Sequence, residues 1–501
     1  MERPTLHLVA GTRSNGGGPA VPRQHRPKTR RPSPVVEPVP DEPIAIVATG
    51  TGAARSAVVG ALLGSPGRIL EVPDTSYLVV RHGARRAVTA HLPGARRPHP
   101  YPPAAAGSGS RPPRRVELVE PDPLLRHFAL VDTPDTATLG VAGARIVLDA
   151  AERGGALLFV LAADQRPHPA ELELLAAAAR RSVAVFCVIT PDARGGWRVP
   201  DAPEPIFDPA TAAVEVHRAV VTGAVPALDR APWFAVDPAA TDTAYLRRAL
   251  VEWAGAEGLR RASLNPPVPP GAGRTVRVAP HAHESDWSQR LETAARAATE
   301  RVRQRLAVEL GDVRLRIERQ LDFGAGPTGL PAVLDRELHA LSLRAAAEGD
   351  AAVERLIQQT LADVLAEPPD EGVRRRVVAG VRRGLAEDAA ARDLARVFLV
   401  TATGGVAVVA GAEAVAGLAA YPSDLGAQVL PEIGLGLSGG CYLRWRNSDD
   451  ADAEAGRAWA QRALHAVEHE LLRETGRRFG ALRDALAVLL AEAVDHGILL
   501  A

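Results

Sequence analysis

The chain has 501 residues, no formal net charge, 46% apolar residues and only 4% aromatic ones. That length suits two or three domains, and the charge balance excludes a global attraction to nucleic acid or anionic lipid, leaving local patches only. Two cysteines, Cys187 and Cys441, lie too far apart in sequence to suggest a disulfide framework or a zinc site, and fit a reducing cytoplasm.

Residues 1–42 are rich in Pro, Gly, Arg and Ser, carry Arg23, Arg26, Lys28, Arg30 and Arg31, and lack the continuous apolar core of a signal peptide. They read as a disordered basic tail, either simply solvated or docking on lipid headgroups or a partner. Lys28 is the only lysine in the chain.

From 43 to 264 short apolar runs alternate with helical stretches, the pattern of an α/β domain. Strands are predicted at 44–48, 77–81, 87–92, 127–132, 156–162, 182–189 and 233–237, and helices at 56–63, 140–151, 170–179, 212–222 and 243–259. Residues 94–115, dense in Pro, Gly and Arg, read as a long mobile loop. A Pro/Gly-rich linker follows at 265–283.

Beyond it the periodicity is helical. Trp287, Leu291, Ala294, Ala298, Val302, Leu306, Leu310, Val313, Ile317 and Leu321 recur every three or four residues, and Leu464, Val467, Leu471, Phe479, Leu482, Leu486 and Leu490 trace a second stripe. Further helices are predicted over 331–366 and 371–396. Long helices with single apolar stripes must pack on one another, so an elongated bundle is expected over 284–501. Within it, 397–443 holds two nearly uncharged runs separated by Pro422-Ser423-Asp424 and flanked by Arg392, Arg396, Arg444 and Arg446. It reads as an apolar hairpin that inserts into or lies on a membrane, or else as a buried hairpin or partner interface.

The motifs sit between strands and helices. Gly50-Thr51-Gly52-Ala53-Ala54-Arg55-Ser56 joins the first strand to the first helix, a geometry that cradles phosphate on exposed N–H groups. Against the phosphate-loop pattern G-x-x-x-x-G-K-[ST], Thr49 and Ala54 occupy the two glycine positions, Arg55 the lysine, and only Ser56 is kept. Taken alone, an ordinary strand–turn–helix is the better explanation. A later strand ends in Val131-Asp132-Thr133-Pro134-Asp135, and an Asp at the end of such a strand is where phosphate-loop enzymes hold magnesium through water. The next strands end in Ala163-Asp164-Gln165, with Glu171 beyond, and in Thr190-Pro191-Asp192, with Trp197 beyond; another gives Trp233-Phe234-Ala235-Val236-Asp237.

The order of these pieces resembles the GTPase domain of bacterial dynamin-like proteins, where they read as a phosphate loop with an "ALLG"-like helix, "VDTPG", "lFVlsAdqpl…E…L", "vlTKxD…W" and a strand ending "VSA". Ala61-Leu62-Leu63-Gly64 and Val131-Asp132-Thr133-Pro134 match most closely. The helical region is similar to the stalk and membrane-touching paddle of the same family in architecture only. The resemblance implies an α/β P-loop GTPase-like domain followed by an elongated all-α bundle with an apolar hairpin tip. It implies GTP or GDP with Mg as ligands, held by Gly50, Gly52, Arg55, Ser56, Asp132, Thr190 and Asp192, with Ser56 and Asp132 as the magnesium positions.

The departures point away from catalysis. Arg55 keeps a charge, but its planar guanidinium does not reproduce an ammonium. Asp135 replaces the family's glycine beside the γ-phosphate. Pro191 and Ala193 stand at the Lys and Asp of the guanine-reading motif, leaving Asp192 one residue early. One transition-state donor is worth roughly 3–4 kcal/mol, so losing several together removes most of the rate. No catalytic residue is assigned. Thr75 is a candidate switch threonine or a turn residue. His465 and His469, four apart, and His281 with His283 lack a third ligand of convincing spacing and read as solvated.

The favoured expectation is a degenerate dynamin-like protein on the cytoplasmic face of a membrane, with weak or no GTP hydrolysis. It would contact lipid through 397–443 and act in membrane remodelling or assembly. It would form homo- or hetero-oligomers with a nucleotide-active dynamin-like paralogue and would not bind nucleic acid. An active dynamin-like GTPase and a soluble helical scaffold without nucleotide are the alternatives.

Overall fold

The computed structural model describes residues 44–50, 52–65, 69–102, 111–200, 208–240, 242–264, 276–282, 286–324, 326–387, 392–418, 428–446 and 453–499. The expected basic tail and the first part of the expected linker lie outside these residues.

The N-terminal region is an α/β layer structure. Its strands are β1 (Ala45–Gly50), β2 (Tyr77–His82), β3 (Ala87–His91), β4 (His99–Pro100), β5 (Arg115–Glu120), β6 (Ala129–Asp132), β7 (Gly155–Ala162), β8 (Ala184–Thr190) and β9 (Trp233–Ala235). They form one sheet in the order β4-β3-β5-β2-β6-β1-β7-β8-β9. β1 lies between β6 and β7 and is parallel to both, and β8 and β9 continue in parallel. β2 runs antiparallel to β6. The helices are α1 (Gly52–Leu62), α2 (Thr136–Gly154), α3 (Pro169–Arg180), α4 (Pro209–Ala224) and α5 (Ala244–Leu264).

β1 is buried on both sides, as a central parallel strand should be. Ala45 and Val47 face a core built with α2, α3 and α4, while Ile46 and Ala48 face one built with α1 and α5. The apolar run that looks featureless in sequence is thus two alternating faces.

The bundle follows. β10 (Val276–Arg277) leads into α6 (Trp287–Phe323), α7 (Gly326–Val364) and α8 (Glu371–Glu387). Next come β11 (Arg396–Val400), β12 (Val406–Ala410), α9 (Ala412–Ala416), β13 (Ile433–Leu437) and α10 (Gly439–Arg446), then α11 (Ala453–His496) and β14 (Ile498–Leu499). α6, of 37 residues, is about 55 Å long at 1.5 Å per residue and buries Leu291, Ala298, Val302, Leu306, Leu310, Val313, Ile317 and Leu321, the stripe read from the sequence. β10 pairs with β14, so the end of the expected linker is part of the bundle, with Val278 and Ala282 in its core.

Three expectations are corrected. The segment 397–443 is not a helical hairpin at a tip. Its described residues hold a three-stranded sheet in the order β12-β11-β13, with β11 antiparallel to β12 and parallel to β13, plus two short helices. Val397, Phe398, Leu435 and Leu437 are almost wholly buried against the bundle and α9. The insertion also touches the head, where the Gly94 N–H donates to Ala414 O at 3.1 Å. The turn 422–424 lies outside the described residues, and among those described no helix is long and apolar enough to cross a membrane. The physical reason is composition: Val-rich runs split by Gly404-Gly405 suit strands better than helices.

Second, the stretch 94–115 is not one mobile loop. Its described parts include β4 and a buried approach to β5, with Arg111, Arg114 and Arg115 each under 10% exposed. Third, the described helix at 371 ends at Glu387, and β11 begins at Arg396 within the stretch read as helical to 396.

Head and bundle share packing. Ala340 of α7 belongs to the core on the α2 side of the head, and Arg145 of α2 pairs with Glu309 of α6 at 3.0 Å.

Candidate functional site

The turn after β1 and the end of β6 lie side by side. β1 ends at Gly50, α1 starts at Gly52, and β6 ends alongside at Asp132, with Ala48 opposite Asp132 in the register. The Thr133 N–H donates to Ala48 O at 3.2 Å and ties the two strand ends together. Gly50 has φ +119°, and a Cβ there would lie 1.9 Å from Val160 O of β7. Only glycine fits that turn without moving backbone.

Arg55 does not reach outward. It is 4% exposed, and its Nε pairs with Asp132 Oδ1. Its Nη1 donates to Gly50 O at 3.1 Å and Pro134 O at 3.3 Å. The guanidinium therefore bridges the turn after β1, the end of β6 and the turn that follows. Ser56, on the first turns of α1, donates from Oγ to Asp132 Oδ2 at 2.8 Å. Both carboxylate oxygens of Asp132 are thereby engaged inside the protein.

Asp135 lies on the other side of the same corner. A Cβ on Gly52 would sit 3.8 Å from Asp135 Oδ2, so this carboxylate lies at the amino end of α1. Negative charge is favourable at a helix N-terminus, and the same position is where an anionic ligand would be drawn.

Water-mediated magnesium binding needs the Ser56 hydroxyl and the Asp132 carboxylate turned toward the metal. Here they are bonded to each other and to a buried cation, and Asp135 sets a further negative charge at the cradle. As arranged, the residues do not fit a nucleotide with its magnesium.

Thr190 and Asp192, the residues expected to read a base, are placed by β8 and the turn after it. Thr190 ends β8, with its Oγ1 buried and unbonded among the described residues. Asp192 closes a tight turn: its Oδ1 accepts from Arg194 N and Gly196 N, both at 2.8 Å, and its own N–H donates to Gly196 O at 2.7 Å. Those amides, Gly196 first, hold its carboxyl below the usual range. Gly50, Gly52, Arg55, Ser56 and Asp132 are thus brought together, and Asp192 is committed to its own loop. Thr75 lies exposed in the turn before β2. Glu171 is a helix cap, accepting from His168 N at 2.8 Å at the start of α3. His465 and His469 are exposed on α11.

A second buried charge cluster escaped sequence reading. Asp335 of α7 accepts from Arg114 Nε at 2.8 Å and Nη2 at 2.9 Å, from Arg111 Nη2 at 3.3 Å and from Leu437 N at 2.8 Å. Burial alone would raise its carboxyl; Arg114, Arg111 and the Leu437 amide outweigh that and hold it well below the usual range. Neighbouring His339, 3% exposed, is pushed well down by burial and then by Arg114, so it stays neutral. Arg478 of α11 pins the insertion from the other side, donating to Leu394 O and Pro431 O and pairing with Glu474 at 2.9 Å. The arrangement locks head, insertion and bundle together. The only hint in the sequence was the arginine-dense end of the stretch 94–115.

No protein-family model matches this chain, and no curated protein does. Among the solved structures similar to it are two described as an oligomerised bacterial dynamin pair that provides a mechanism for the long-range sensing and tethering of membranes. The first is 13% identical with a TM-score of 0.32, over 64% of this chain and 60% of that one. The second is 12% identical with a TM-score of 0.31, over 90% of this chain and 72% of that one. The chain thus spans 60% of the length of the first, and likeness at this level assigns neither activity nor partner.

Proposed function

We propose that the head is a GTPase-like module held shut by its own arginine, and that the protein is a non-hydrolysing assembly component of dynamin-like build. The observation that carries this is the Arg55–Asp132–Ser56 network. A guanidinium supplied by α1 takes the carboxylate that would otherwise serve magnesium, and it spans the turn that would cradle phosphate. Phosphoryl transfer depends on positioning and charge neutralisation of the phosphates. A corner already neutralised from within offers neither.

The coupling of head to bundle supports a static role. Power-stroke proteins need a joint that opens, whereas here buried ion pairs and a shared core cross the junction. The setting we propose is a membrane-associated assembly beside a nucleotide-active partner. It rests on the motif resemblance and not on segment 397–443. The test is phosphate release from GTP and Mg by the full chain, with and without vesicles of mixed neutral and anionic lipid. Release at the uncatalysed background in both arms supports the proposal. Saturable turnover in either arm returns the active-GTPase reading.

A further inference from the structure

Every exposed strand edge is a template for another strand, and proteins blunt edges by shortness, proline, charge or cover. Most edges here are managed. β4 has two residues and contains Pro100, β9 has three, and the pair β10–β14 has two residues on each side. The outer edge of β13 is sealed by side chains. The Leu437 N–H donates to Asp335 Oδ1 at 2.8 Å, Leu435 O accepts from Arg114 Nη2 at 2.8 Å, and Ile433 O accepts from Ser342 Oγ.

β12 differs. Its sequence is Val406-Ala407-Val408-Val409-Ala410, without charge or proline, and Val408 is 41% exposed. Among the described residues, no backbone or side-chain group bonds to its outer edge. The ladder fixes which groups point outward. The Thr401 N–H donates to Gly405 O at 2.8 Å, and the Gly411 N–H to Ala395 O at 2.8 Å, at the two ends of the β11–β12 pair. Bonded pairs alternate in an antiparallel ladder, so Val397–Val409 and Leu399–Ala407 are the bonded ones. Val406, Val408 and Ala410 therefore turn their N–H and C=O groups away from β11.

We infer that β12 pairs antiparallel with β12 of a second copy of this chain, about a two-fold axis at Val408. The strand is self-complementary in that register. Val408 faces Val408, and Val406 faces Ala410 on either side, so all outward groups of one copy meet outward groups of the other. Three bonded pairs exchanging two bonds each give about six backbone hydrogen bonds. No like charges are opposed, because neither strand carries any. The two small sheets become one continuous sheet across the pair, closed at both far ends by Asp335, Arg114 and Ser342. A two-fold, self-complementary patch is what a closed dimer requires.

The experiment is sedimentation of the full chain across a range of concentrations. Wild type forms a species of twice 52.7 kDa. Val408→Pro removes an outward N–H without touching the bonds to β11, and shifts the protein to the single-chain mass. Val408→Lys sets two ammonium groups face to face and does the same, covering the case in which the proline variant fails to fold. Val408→Cys gives a disulfide-linked dimer under mild oxidation, since directly bonded residues lie about 5.5 Å apart. Ala407→Cys, which faces Val409, links at least tenfold more slowly. Cys187 and Cys441 are buried and do not interfere. Wild type at the single-chain mass at every concentration overturns the inference, and is the result expected if this edge takes an extended segment of another protein. A dimer that survives both Val408 substitutions, or equal linking at 407 and 408, also overturns it.

Discussion

Arg114, at the threshold of β5, donates through Nε and Nη2 to both carboxylate oxygens of Asp335, 221 positions later on α7. With Arg111 beside it, the pair joins the start of β5, an interior strand of the head sheet, to the helical bundle through a buried ionic contact. Removing one partner strands the others in a place water does not reach, which typically costs about 3–5 kcal/mol. Asp335→Asn is expected to lower unfolding stability by that amount in a urea titration, whereas Asp312→Asn, on the exposed side of α6, is expected to leave the midpoint nearly unchanged. Asp335 is held below its unfolded value, so its contribution is present above about pH 4 and is lost only as pH falls further.

A different pH dependence is expected nearby. Burial raises Asp149 of α2 to about 6, despite Arg153 at 3.3 Å, with Glu432 adding to the rise. Burial and Glu432 raise Asp350 of α7 to about 6 as well. These folded-state values lie above the unfolded one near 4, so the folded protein binds more protons between them. Stability is therefore expected to fall as pH rises from about 4 to about 6, by a few kcal/mol at most for the two together. Thermal midpoints across that window check it, and Asp149→Asn should flatten the decline.

The two glycines of the corner are not equivalent. Gly50→Ala meets the Val160 carbonyl at 1.9 Å in a left-handed backbone conformation. It should cost about 2–4 kcal/mol, from the φ penalty plus the forced backbone shift. Gly52→Ala meets nothing closer than 3.8 Å and lies in a helix, so it should be neutral or slightly stabilising. Chemical unfolding of the two variants side by side separates a turn that needs its glycine from one that does not.

Legibility in the sequence was uneven, for physical reasons. The apolar stripe of α6 and the strands around β1 were plain because long helices and buried strands impose strong periodicity. β5 was missed although Arg115-Val-Glu-Leu-Val-Glu120 alternates: Val116 and Leu118 enter the apolar core, but the opposite face, with Arg115 and Glu117, is charged and buried as well. Glu117 there is buried, with His91 Nε2 at 2.9 Å and Arg81 Nε at 2.5 Å, so hydrophobicity gave no signal. The insertion was misread because an uncharged run suits a helix or a buried strand equally well; Gly404-Gly405 between two Val-rich runs was the hairpin cue. At the corner the residue types were legible, but not that Arg55 turns inward. That follows from Asp132 and two carbonyls lying within its reach, a tertiary fact.

The claim that the corner is closed by Arg55 is tested most directly by titrating the full chain with a fluorescent GTP analogue in the presence of Mg. Wild type is expected to give no saturable signal. Arg55→Lys combined with Asp135→Gly, which withdraws the guanidinium and the opposing carboxylate together, is expected to gain one. Saturable, magnesium-dependent binding by the wild type, with no gain in the double variant, would contradict the account.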